Sequence, residues 1–147
     1  MNRKLLILAA VSALGFVSCN NMMVKTVNFT ARTQTGYMGQ AGTATIEKLS
    51  SGGIKSTITF TNLKAGTAYI AHYHNQGTVG VAPCDSGGSV KTDYGTAVTS
   101  DAMGKVTLTV TSNTATTIAD LGVYINVHES ITPSIVPMCA DVSTTTF

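Results

Sequence analysis

The chain has 147 residues, with nine Lys and Arg against seven Asp and Glu, a formal charge of +2, and only 11% charged residues. That sparse charge, with no basic patch interleaved with aromatics, excludes a nucleic-acid-binding protein held by phosphate contacts. Abundant Thr, Ser and Gly favour an all-β domain over a helical one.

The N-terminus reads as an export signal. Asn2-Arg3-Lys4 gives a positive start, Leu5 to Val17 an apolar stretch too short to span a bilayer comfortably, and Ser18-Cys19 a small residue before a cysteine. Residues 1–18 are expected to be removed as a lipoprotein-type signal, leaving Cys19 lipidated at the new N-terminus and residues 19–23 as a tether. Phe16 stands where a lipobox more often has Leu. Loss of Arg3 and Lys4 brings the mature chain to neutrality, so the basic balance belongs to the signal. A periplasmic or cell-surface, membrane-anchored protein follows.

From Val24 onward, short β-type runs alternate with turn residues. Val24 to Thr30, Gly42 to Leu49 and Ile54 to Thr61 read as strands, the last two separated by Ser50-Ser51-Gly52-Gly53. Asn62 to Gly66 turns the chain into Ala68-Tyr69-Ile70-Ala71-His72-Tyr73-His74. Lys105 to Thr111 alternates Val106, Leu108 and Val110 with threonines. Gly122 to Glu129 sets Val123, Ile125 and Val127 against Tyr124, Asn126 and His128. A segment around Pro137 to Val142 ends the pattern, and Ser143 to Phe147 is a strand end or a frayed tail. About seven or eight strands, no amphipathic helix and no second domain predict one antiparallel β-sandwich or barrel over residues 24–147. Gly77 to Tyr94 and Ser130 to Pro137 lack strand pattern.

All three histidines of the chain lie in two of these strands. Side chains at i and i+2 of a strand share a face, so His72 and His74 aim two imidazoles at one place. His128 stands on the face opposite the apolar set of its own strand. Imidazole is the commonest metal ligand, which makes His72, His74 and His128 one candidate metal site. Tyr73 points the other way, toward the core. Gly87-Gly88 serves a turn.

Once Cys19 is assigned to lipid, Cys84 and Cys139 remain as one pair in an exported chain. They are most simply a disulfide, with soft copper ligation as the alternative. The bond would tie the segments that follow the histidine strands.

The run Asn62-Leu63-Lys64-Ala65-Gly66, His72-Tyr73-His74-Asn75-Gln76-Gly77 and Cys84-Asp85-Ser86-Gly87-Gly88 resembles the copper-site strand and following loop of copper/zinc superoxide dismutases. Val127-His128-Glu129 and Cys139-Ala140-Asp141-Val142 resemble that family's later copper-histidine strand and disulfide strand. The order His-x-His, Cys, His, Cys carries the resemblance. Gly122 to His128 also resembles the related CHRD domain. The resemblance implies a Greek-key β-barrel in which His72, His74 and His128 bind one copper ion. It departs from the family where a bridging histidine would stand, at Ser89-Val90-Lys91. The zinc histidines are absent too, so no zinc site of that type is expected, and Asp85, Asp93 and Asp101 do not replace one. The family's arginine before the last cysteine is Val136 here.

The expectation is an exported copper-binding, superoxide dismutase-like protein, whose partners are superoxide or copper ions. With the bridging histidine lost, Tyr73, Tyr124 or water would have to deliver protons. The competing readings are a copper buffer or carrier, with Met138 or Met103 as thioether ligands, and a CHRD-like interaction module. A three-histidine zinc hydrolase is the last alternative. It would need Glu129 as general base, although that residue is better placed facing solvent or orienting His128.

Overall fold

The computed structural model describes residues 23–92 and 95–147. The signal at 1–18, Cys19, the rest of the tether to residue 22, and Asp93 lie outside the described residues. Among the described residues ten strands run in chain order: β1 (Val24–Asn28), β2 (Thr30–Ala31), β3 (Ala41–Lys48), β4 (Ile54–Thr61), β5 (Ala68–His74), β6 (Val90–Thr92), β7 (Val98–Thr99), β8 (Val106–Ser112), β9 (Tyr124–Glu129) and β10 (Met138–Asp141). They form two antiparallel sheets. One has the order β1-β3-β4-β8; the other has the order β2-β10-β9-β5-β6, with β7 also on β5. The all-β sandwich expected from the strand pattern is present.

The strand count exceeds the expected seven or eight because three short segments pair where side-chain alternation is too brief to read. The run beginning at Val24 is two strands, not one: the chain changes sheet at Phe29. That residue is buried against Phe60, with ring centres 4.8 Å apart. The segment Gly77 to Tyr94 also contains β6, which pairs with the end of β5 through an irregular register at Tyr73 and His74. A one-turn helix, α1 (Ile118–Leu121), is built on a local capping box in which Thr117 and Asp120 satisfy each other's backbone N–H groups. Four residues are too few to leave a helical period. The tail after Asp141 adds no strand, and Phe147 packs against the core.

The core lies between the sheets. Ile46, Ile54, Ile58, Phe60, Leu108 and Val110 from one face meet Tyr69, Ala71, Tyr73, Ile125, Val127 and Met138 from the other. Each fully buried large apolar side chain is worth about 1.5–3 kcal/mol. Tyr73 crosses the interior to hydrogen-bond Ser56 through its hydroxyl at 2.6 Å. This inward set occupies alternate positions of β5 and β9, which sends His72, His74, Tyr124, Asn126 and His128 to the opposite, outer face.

Candidate metal centre

β5 and β9 run antiparallel, with Ile70 opposite His128, His72 opposite Asn126, and His74 opposite Tyr124. Register alone therefore gathers all three histidines on one patch of the outer face. The ring centres of His72 and His128 are 5.3 Å apart, those of His74 and His128 5.7 Å, and those of His72 and His74 6.2 Å. The three residues singled out in the sequence come together.

Backbone carbonyls orient two of the rings. Nδ1 of His74 donates to the carbonyl of Gly88 at 2.9 Å, and Nδ1 of His128 donates to the carbonyl of Pro133. A carbonyl can only accept, so each Nδ1 carries the proton and each Nε2 keeps its lone pair. Both Nε2 atoms are buried and meet no hydrogen-bond partner among the described residues; Nδ1 of His72 is also shut off from solvent. Burial lowers the pKa of His74 and of His128 below the usual 6.5. The bonds to Gly88 and Pro133 oppose that shift, and the neighbouring imidazoles add to it. Neutral, oriented imidazole is the form that binds a metal.

A point equidistant from the three ring centres lies about 3.3 Å from each, while a ring bound through one nitrogen at 2.0–2.1 Å has its centre about 3.2 Å from the ion. As the side chains stand, no group of three His, Cys, Asp or Glu among the described residues is arranged to hold a metal ion. Ring spacing bears on fit separately: the His74 and His128 rings are held by their carbonyl bonds, and a turn of the His72 ring about its soft outer torsion would redirect its nitrogens while barely moving its centre. The donor set and the spacing fit one ion held by three imidazoles.

The loop after β5 is part of the site. Gly87 takes the left-handed backbone (φ +66°), and a Cβ on Gly88 would run into the carbonyl of Asn75. The turn expected of this pair is present, but Gly88 also supplies the acceptor for His74 and for the Tyr124 hydroxyl, at 3.1 Å. No side-chain signal could have revealed that role. The Tyr124 ring stacks on His74, centres 4.8 Å apart and planes 12° from parallel. Cys84 and Cys139 form a disulfide, as the cysteine count suggested, so soft ligation by them is overturned. Cys139 lies in β10 opposite Asn126, so the bond ties the loop to the sheet two strands from His72.

Several sequence expectations fail here. Glu129 neither faces solvent nor orients His128. It is buried on the core side, accepting from Lys64 Nζ at 2.7 Å and from the Tyr37 hydroxyl at 2.6 Å. The Lys64 ammonium, then the Tyr37 bond, hold its carboxyl below the usual range. That removes the general base a zinc hydrolase would need. Tyr73 is on the wrong face to serve the histidines, and burial pushes its hydroxyl up to about 12. Met138 is fully buried in the core, and Met103 is exposed in the turn before β8, so neither supports thioether ligation. Asp85 pairs with Arg32 at 2.6 Å, and Asp101 accepts from the N–H groups of Met103 and Lys105 within its own turn.

The buried cluster of Tyr37, Tyr69, Lys64 and Glu129 was not legible in the sequence. Tyr37 and Tyr69 hydroxyls meet at 2.8 Å, the backbone N–H of Lys64 donates to Tyr69 at 3.0 Å, and Lys64 Nζ lies 4.5 Å from the Tyr37 ring centre. Its members are 92 residues apart at the extreme, and no short spacing signals them. Comparison of the sequence with protein-family models and with curated proteins gives no match.

Proposed function

We propose that this is an exported copper-binding protein of the superoxide dismutase-like kind, holding one copper ion with His72, His74 and His128. The observation that carries the reading is the approach of the three rings, with the buried Nε2 atoms of His74 and His128 meeting no partner among the described residues. Three nitrogen donors and an open position suit copper, which stands above its first-row neighbours in affinity for such sites. Bound there, copper would supply one-electron chemistry. The protein's own contribution is to keep two imidazoles neutral and aimed, through Gly88 and Pro133, and to brace His74 with Tyr124. A Greek-key connection like that of the dismutases is part of the same reading.

Superoxide is the proposed substrate. The carrier or buffer reading is favoured by one observation: Arg32, which follows the short strand paired with β10, is tied into an ion pair with Asp85, the neighbour of Cys84. That guanidinium is then less able to draw in an anion. The test is superoxide decay by the copper-loaded chain beside His128→Ala. A rate above copper-free protein, lost in the variant, supports dismutation. Stoichiometric copper without turnover supports the carrier.

Export and lipidation at Cys19 belong to this proposal. Cys19→Ala is expected to release the protein from membranes into the soluble fraction; unchanged partitioning would rule the anchor out.

A further inference from the structure

Asn126 sits at the centre of the histidine patch. It faces His72 across the β5–β9 pair, follows Tyr124 by two residues and precedes His128 by two, so all four side chains share the outer face. On its other side it faces Cys139, whose disulfide closes the patch toward β10. Its amide oxygen is buried and meets no hydrogen-bond partner among the described residues. A buried acceptor without a donor lowers stability, and a valine would suit this strand position better. Retaining an amide here makes sense when something from outside the chain supplies the donor.

We propose that Asn126 is a ligand-positioning residue of the histidine site. It accepts a hydrogen bond from a small oxygen ligand that carries a proton, such as water or a peroxide, held beside the three rings. This rests on the three-histidine copper reading and adds a selectivity to it: water and peroxide, which bear protons, are favoured over proton-free anions, superoxide included. The bond therefore acts on the resting and product-bound site and not on capture of superoxide. An anion that displaces such a ligand forfeits the bond to Asn126.

The test uses the full mature chain and Asn126→Val, each loaded with Cu(II), with stoichiometry measured first and azide then titrated by its charge-transfer band. Azide carries no proton to donate. The variant is expected to load the same copper and to bind azide about fivefold more tightly than the native protein. Its metal-free form is expected to melt at a higher temperature than native. Asn126→Thr, which keeps an oxygen and suits a strand, is expected to stay within about twofold of native azide affinity. Equal azide affinity in native and Asn126→Val overturns the inference alone, as does weaker binding by the variant, which would mean the amide turns its N–H₂ toward the ligand. A metal-free Asn126→Val that melts lower than native, or fails to fold, also overturns it, because the amide would then be satisfied inside the fold. Copper absent from both proteins overturns the three-histidine reading, and this inference with it.

Discussion

His74 and Tyr124 face each other across β5 and β9, their rings stacked and their polar atoms bonded to the same carbonyl, that of Gly88. Tyr124 thus fixes both the plane of the imidazole and the position of its acceptor. Groups one step behind a metal ligand typically account for 10–100-fold in affinity. Tyr124→Ala is expected to weaken copper binding by at least about tenfold, and Tyr124→Phe, which keeps the stacked ring, by about threefold or less. Competition titration against a chelator of known affinity reads both.

The disulfide should matter for stability and for the site together. Cys84 and Cys139 are 55 residues apart, and on the chain-entropy account a loop of that length is worth about 4 kcal/mol. The paired Cys→Ser variant is expected to lose stability of that order in urea unfolding. Copper affinity should fall as well, because the loop that presents Gly88 to His74 is no longer tied to β10. Loss of stability with unchanged affinity would separate the staple from the site.

The Lys64–Glu129 pair anchors the end of β9 next to His128. Lys64 is partly exposed, at 35% of its side chain, whereas Glu129 is buried. Glu129→Gln keeps the shape but loses two charge-assisted bonds. It is expected to destabilise the fold by about 1–3 kcal/mol. Tyr37→Phe, which removes one hydroxyl from the same cluster, should lose about 1 kcal/mol. Urea unfolding of the metal-free protein measures both, and additive losses in the double variant would show that the two groups act separately.

Stability of the metal-free protein should fall in two stages on acidification. His74 and His128 have folded pKa values below 6.5, so the unfolded chain takes up protons first as pH drops. Their contribution is complete above about 6.5 and is lost as pH falls through the folded values. Glu129, held below 4.5, contributes above that value and loses its contribution as pH falls further. Unfolding midpoints between pH 8 and pH 3 check this. His74→Gln and His128→Gln are expected to flatten the upper stage and leave the lower one.

The histidine patch was legible because period-2 alternation alone assigns Tyr69, Ala71 and Tyr73 to one face of β5, and His72 and His74 to the other. The same reasoning placed His128 opposite Ile125 and Val127. What alternation cannot give is register between strands, and register is what brings Asn126 opposite His72. Glu129 escaped because it continues the inward set at a strand end, where a carboxylate reads as solvated unless its distant partners, Lys64 and Tyr37, are known. Gly88 escaped because its contribution is a backbone carbonyl, which carries no side-chain signature. The short strands β2, β6 and β7 are set by pairing with longer neighbours, with too few residues of their own to show a pattern.

The central claim is that the three rings hold one ion, and the most direct measurement is electron paramagnetic resonance of the Cu(II)-loaded mature chain with nitrogen hyperfine resolution. The account predicts one copper per chain coupled to three imidazole nitrogens, with His128→Ala losing one coupling and most of the affinity. Sub-stoichiometric copper, with the same spectrum in native protein and His128→Ala, would contradict it.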